Sequence, residues 1–402
     1  MKIPSSLRMV PELFVISICA LALALMAVGI SVSVLGNYSI GTTDFVEYWA
    51  SAHQLKNHAN PYAADAILDI ERSLGHPLGE PALVMWNPPS ALLLILPLGF
   101  FSPRVGHLLW LLLLLASLVA SVQLIWNMHG RPKGWLNLLG YTFAPALICL
   151  LAGQVSLFVL LGLVLFLRLN RSRPFLAGAA LWFCMLKPHL LLPVGVVLLV
   201  WSVITRSYKV LAGTAFALIL SSLVVLVFDP LVWTHYLQMA HAAQMEETIP
   251  CLSIMFRRVV SPHSHWVQYV PAALGCLWAV KYFRMHRSDW NWLEHGSLLT
   301  LVSVLVAPYS WIMDQAILIP ALLHAAYRTR SRSLLAVLAL ASAIVDVGAL
   351  RSQTLLHSVY FAWTAPAWLI WYLFATRQEY LVNGPASVVS LDAASVTASV
   401  ID

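Results

Sequence analysis

The stretch PELFVISICALALALMAVGISVSVL, residues 11–35, carries a single acidic or basic side chain, Glu12. About 20 such residues are enough for a helix to cross a hydrocarbon core of ~30 Å. The run exceeds the ~7–15 apolar residues of a signal peptide and lacks a small-x-small cleavage site before polar sequence. It therefore reads as a retained first helix, with Lys2 and Arg8 holding its amino end in the cytoplasm.

The rest of the chain extends this reading. Of 402 residues, 60% are hydrophobic and only 10% charged, with a mean hydropathy of +0.81. Soluble domains carry about 25% charged residues, so the composition requires a polytopic membrane protein. Its apolar runs are continuous rather than alternating every second residue, which selects helices over a barrel. The net charge of +6 records basic cytoplasmic loops and implies no nucleic-acid partner. The five cysteines show no C-x-x-C spacing and four lie in apolar runs, as small buried hydrophobes do.

Further apolar runs lie at 88–101, 106–126, 135–152, 154–169, 174–186, 188–205, 210–228, 267–283, 293–311, 313–327, 332–350 and 360–376. Several are short for a crossing, and Pro97, Pro145, Pro188 and Pro193 favour kinks or half-helices. Broken helices at membrane depth are tolerated only against protein or a wet cavity, which points to an internal site. The basic loops 168–174, 206–209, 281–287 and 328–333 are placed inside. Residues 36–87, 186–190, 229–266, 308–315 and 351–358 then share the other face. The count comes to about twelve crossings with one partial or re-entrant segment in 88–169, and both termini inside. One integral-membrane domain is expected over 1–380, followed by a disordered cytoplasmic tail over 381–402.

Three polar constellations interrupt this apolar background. If the first external loop opens as a helix at Thr43, with Thr42 or Thr43 as its N-cap, then Asp44, Glu47, Tyr48 and Ser51 share one face. A carboxylate at a low-dielectric boundary is costly to ionise, which suits a general base. The alternative is that both acids only complement the positive end of a helix dipole. In the second constellation Lys187 and His189 flank Pro188 inside an apolar stretch. A lysine there either faces a cavity, where beside an imidazole it would suit an anionic phosphate, or ends a helix at the interface. The third is Ser310-Trp311 with Asp314, either an interfacial anchor or a cavity contact. Gln154 and Asn87 are amides at helix ends, where capping is the simplest role. In the 229–266 loop, His235, Tyr236, His241, Glu246, Glu247, Arg257 and Arg258 read as an amphipathic segment on the bilayer. His263-Ser264-His265 has no third partner at ligand spacing, so no metal site is expected, and no nucleotide-binding motif occurs.

In order along the chain, Asp44 with Tyr48, an Asn60-Pro61-Tyr62 turn, Asn87-Pro88-Pro89, Gly153-Gln154, Lys187-Pro188, and Pro308-Tyr309-Ser310-Trp311 with Asp314 resemble the landmarks of glycosyltransferase family 87. The resemblance spans residues from about 40 to about 325. It implies a GT-C fold membrane enzyme that moves a hexose, commonly mannose, from a polyprenyl phosphate to a lipid or glycan acceptor on the extracytoplasmic face. By the same resemblance Asp44 is the general base, with Glu47 a rival one turn away, and Lys187 with His189 holds the donor phosphate. Tyr48, Asn87, Gln154, Trp311 and Asp314 would contact sugar or acceptor. No cofactor is implied, the substrate being itself lipid-linked. The implied location is a bacterial inner or plasma membrane, with the active site facing outward. The sequence departs from the family pattern at His58-Ala59, where a glycine commonly precedes the turn, and at Met313, near which a histidine is common. The competing reading is a transporter or flippase of lipid-linked glycans, which would want ionisable groups near the midplane rather than gathered at one face.

Overall fold

A computed structural model describes residues 5–35, 40–242, 249–351 and 358–383. Every regular element among them is helical. In chain order the α-helices are α1 Ser5–Leu35, α2 Phe45–Lys56, α3 Ala64–Ser73, α4 Leu92–Ile95, α5 Pro103–Met128 and α6 Asn137–Tyr141. They continue with α7 Ala144–Ala152, α8 Ser156–Leu169, α9 Pro174–Ala180, α10 Leu192–Ile204, α11 Tyr208–Phe228 and α12 Val232–Ala242. The last six are α13 Leu252–Val260, α14 Val270–Met285, α15 His295–Leu305, α16 Ile319–Arg328, α17 Arg332–Arg351 and α18 Thr364–Asn383. Glu246, Glu247, residues 352–357 and the tail from residue 384 lie outside the described residues.

Four helices are long and apolar enough to cross a membrane: Glu12–Val32 within α1, α5, α11 and α17. A fifth arises if Pro174–Leu186 and Pro188–Ile204, bent by 117°, form one broken span. The chain is thus an all-helical membrane-type protein, but these spans fall short of the expected count of about twelve. The difference comes from chain breaks inside the apolar runs. The run at 88–101 is a short α4 between two 3-10 turns, with Pro97 in the second. The run at 135–152 divides into α6 and α7, and Pro145 sits in the first turn of α7. Proline is tolerated in a first turn, where its missing N–H has no intrahelical partner anyway.

The broken pair is fixed in place by glycines. On α9, a Cβ at Gly178 would lie 1.9 Å from the Val210 carbonyl oxygen, and on α11 one at Gly213 would lie 2.0 Å from that of Phe175. The two backbones therefore touch, the close crossing that small residues permit between membrane helices. At the opposite end of the chain α17 packs along α1. A salt bridge of 2.8 Å between Glu12 and Arg332 sets their register. α18 is tied to the core through Gln315, which donates to Thr364 Oγ1 at 2.8 Å and accepts from Trp368 Nε1 at 2.8 Å.

At the α9–α11 crossing, Gly178→Val is expected to separate the backbones. Overpacking of this kind costs about 1–3 kcal/mol. A lower apparent Tm in detergent than wild type, with Gly178→Ala falling between, is the expected result of a thermal-shift comparison.

Candidate active site

The site is built where three chain breaks meet. α2 starts at Phe45 with Asp44 as its N-cap residue, and no side chain caps it. Neither Thr42 nor Thr43 therefore plays the expected capping part. Glu47 and Tyr48 face the same cavity as Asp44. Ser51 does not join them: it is fully buried, and its hydroxyl has no partner among the described residues.

The second break ends α7. Gly153 adopts φ +81°, a left-handed conformation that glycine adopts without strain. A Cβ there would lie 3.0 Å from that of Phe45. The close approach puts the next residue, Gln154, beside Asp44. Gln154 Nε2 donates to Asp44 Oδ2 at 2.8 Å. Its Oε1 accepts from Tyr48 Oη at 2.9 Å and from Lys187 Nζ at 2.9 Å. An ammonium can only donate and a carboxylate only accept, so the charges on either side set the orientation of the amide. Gln154 is a bridge between the Asp44 carboxylate and the Lys187 ammonium and not the helix cap its position suggested.

The third break supplies the cation. Lys187 lies between two 3-10 turns, Phe183–Leu186 and Pro188–Leu191, in the elbow of the broken pair. Its Nζ is 2.7 Å from Asp314 Oδ1 and 5.9 Å from the centre of the Trp311 ring. Asp314 is fully buried. It also accepts from Ser156 Oγ at 2.6 Å and from the Trp311 backbone N–H at 2.9 Å. Where a sugar or acceptor contact was expected, Asp314 instead supports Lys187 from behind. Trp311 remains on the cavity wall.

Asn87 holds the elbow from the other side. Its Nδ2 donates to the Leu186 carbonyl at 2.7 Å, and its own carbonyl accepts from Tyr62 Oη at 3.0 Å. The Asn60-Pro61-Tyr62 turn is closed by Asn60 Oδ1, which accepts from the Tyr62 N–H at 2.8 Å. Asn87 is thus a brace for the Lys187 backbone rather than a helix cap. His189 stacks on Tyr309 with ring centres 3.8 Å apart, and its Nε2 is buried without a partner among the described residues.

These side chains surround one cavity of about 790 Å³. Its polar end is walled by Asp44, Glu47, Tyr48, Gln154, Lys187 and His189. Its other end runs between α1, α7 and α17, where Leu25, Met26, Leu147, Leu151 and Leu350 face inward. Burial first, and then the neighbouring Asp44 charge, raise the Glu47 carboxyl well above the ordinary carboxylate range. Of the two acids, Asp44 receives the amide N–H that stabilises an ionised form.

Beneath the loop at residues 81–84, which lines the cavity, Glu71 Oε2 accepts from the Leu83 N–H at 3.0 Å. Burial pushes the Glu71 carboxyl up to about 7. Tyr236, Tyr309 and Asp346 also line the cavity, although none stood out in the sequence as a site residue. Tyr309 belongs to the Pro308-Tyr309-Ser310-Trp311 landmark, which is the signal for it. In the 229–266 loop, α12 and α13 are short helices. Leu252, Phe256, Val259 and Val260 of α13 are exposed while Arg257 is buried against Gln268.

A family model described as glycosyltransferase family 87 matches residues 86–345. The matched segment holds Asn87, Gln154, Lys187, His189, Trp311 and Asp314 but begins after Asp44, Glu47 and Tyr48. No curated protein and no solved structure matches the chain. A match to a transferase family lends no support to the transporter alternative.

The Lys187–Asp314 pair predicts a specific pattern of stabilities. Removing one partner from a buried pair costs about 3–5 kcal/mol, whereas replacing both by apolar groups can be neutral. Asp314→Leu is therefore expected to lower the apparent Tm sharply, and Lys187→Met with Asp314→Leu to recover most of it without recovering any activity. Thermal shift and a transfer assay on the same preparations check this.

Proposed function

From the premise that the chain belongs to glycosyltransferase family 87, we propose that it transfers a hexose, mannose first among the candidates, from a polyprenyl phosphate to a hydroxyl of a lipid or glycan acceptor. In this reading the cavity opens on the extracytoplasmic side. The observation that carries it is the chain Asp44–Gln154–Lys187, in which a carboxylate and an ammonium on one cavity wall are separated by a single amide.

Such a transfer needs a base for the acceptor proton and a positive group for the departing phosphate. Asp44 takes the proton as the acceptor oxygen bonds to the anomeric carbon. The bond from that carbon to the phosphate oxygen breaks, and its electron pair leaves with the phosphate. Lys187 has one ammonium hydrogen left after serving Gln154 and Asp314, and it meets the charge that develops there. Attack and departure on opposite faces of the ring invert the anomeric centre. A polyprenyl phosphate is already a stable leaving group, so no nucleotide and no covalent intermediate are required. Glu47, its carboxyl raised by burial, is disposed to donate to a sugar hydroxyl rather than compete for the proton. The apolar arm suits a substrate drawn from the bilayer.

The test is transfer of labelled hexose from polyprenyl-phosphate-mannose to a membrane lipid extract. Losing a general base costs about 10²–10⁴ in rate. Asp44→Asn is expected to lose that much while still binding donor, Glu47→Gln to lose less, and Lys187→Ala to weaken donor binding and turnover together. Loss of turnover with Glu47→Gln but not with Asp44→Asn would move the base one turn along α2. Absence of transfer by wild type from any polyprenyl-phosphate hexose would contradict the reading.

A further inference from the structure

Asp346 is an anomaly in the apolar arm of the cavity. It lies on α17, a helix long and apolar enough to span a membrane, among Ile344, Val345 and Val347. From Arg332, which pairs with Glu12, the helix rises about 21 Å to Asp346 at ~1.5 Å per residue. Arg351, which ends the helix, lies five residues or about 7.5 Å beyond it, so the carboxyl falls within the apolar span, nearer its Arg351 end. An ionisable group at such depth is costly and is by default a sign of function.

Nothing among the described residues satisfies it. Asp346 has no hydrogen-bond partner or counter-ion among the described residues. It also borders a pocket of about 10 Å³ lined by Thr142 and Ser342. The hydroxyl protons there are already committed: Thr142 donates to the Leu138 carbonyl at 2.7 Å, and Ser342 to the Thr142 carbonyl at 3.2 Å. It also lines the large cavity, whose apolar arm includes Ala22, Met26, Leu147 and Leu350. A polyprenyl tail in this arm would cover the carboxyl with hydrocarbon and offer it no donor, which is unfavourable for a polar group.

We propose that Asp346 marks a second lipid site in the arm between α1, α7 and α17, taking a lipid whose head carries hydroxyl groups. The inference rests on the proposed transferase reading and assigns this lipid as the acceptor class. A polyhydroxylated head can place one hydroxyl at the polar end of the cavity and another on Asp346. No basic side chain other than Lys187 and His189 lines the cavity among the described residues, and both stand at its polar end, so an anionic head next to Asp346 would find no counter-charge there. The expected ligand is therefore a neutral glycolipid-like amphiphile.

Native mass spectrometry of the full chain tests this directly, with monoglucosyl diacylglycerol as probe and phosphatidylcholine, phosphatidylethanolamine and polyprenyl phosphate as comparators. Wild type is expected to retain the glucosyl lipid over phosphatidylcholine. Asp346→Leu should weaken that retention about tenfold, as the loss of a hydrogen bond to a charged group does, and leave polyprenyl phosphate retention unchanged. Equal retention of the glucosyl lipid by wild type and Asp346→Leu would overturn the proposal, as would phosphatidylethanolamine binding as tightly as the glucosyl lipid. If Asp346→Leu also loses polyprenyl phosphate, Asp346→Asn decides: weaker glucosyl-lipid retention supports the site and unchanged retention overturns it. Selective retention by a wild type that transfers no sugar would contradict the transferase reading and leave the lipid site standing.

Discussion

The site depends on a lysine that cannot be left alone in a low-dielectric interior. Lys187 is almost fully buried, and the cost of desolvating its ammonium is met by Asp314 and by the amide oxygen of Gln154. This one requirement draws three distant segments together. Asp314 comes with the 3-10 turn after Trp311, Gln154 with the end of α7, and Lys187 itself with the elbow of the broken span. Because Lys187 holds the amide oxygen, the amide nitrogen must point at Asp44. The cation on one side of the amide thereby orients the carboxylate on the other.

Backbone breaks make this possible, and each has a local cause. A continuous helix through residues 174–204 would satisfy its own backbone but could not turn Lys187 out of the helix surface into the cavity. Pro188 stops the helix, and Asn87 takes up the Leu186 carbonyl that the break leaves free. Gly153 ends α7 in a left-handed turn close enough to Phe45 that a Cβ would be crowded. The polar end of the cavity is thus a set of helix ends whose unpaired backbone groups are satisfied by side chains. Such irregular backbone is tolerated in a membrane protein where it faces protein or a wet cavity.

Much of this was legible in the sequence. Composition and the length of the run at 11–35 pointed to an all-helical membrane protein, and prolines marked the breaks at 97, 145, 188 and 193. Lysine inside apolar sequence was a reliable sign because its cost in lipid is high and has few remedies. The amides read less well: Gln154 and Asn87 sit at helix ends, where capping is common, and only their distant partners reveal a bridge and a brace. Four or five helices are long and apolar enough to cross, against the expected twelve or so, because hydropathy follows composition and not chain direction, and several apolar runs are divided by proline into shorter helices. Asp314, expected as a sugar or acceptor contact, pairs with Lys187 and does not line the cavity. Asp346 was missed because a single acid in an otherwise apolar run changes the hydropathy little.

The measurement that tests the central claim most directly is a cryo-EM structure with a non-hydrolysable donor, a polyprenyl phosphonate in which a methylene replaces the oxygen to the sugar. The account predicts the phosphonate within hydrogen-bond distance of Lys187 Nζ, with Asp44 on the opposite face of the anomeric carbon and the prenyl chain leaving toward the bilayer. A phosphonate bound away from Lys187, or lying on the same face of the sugar as Asp44, would contradict it.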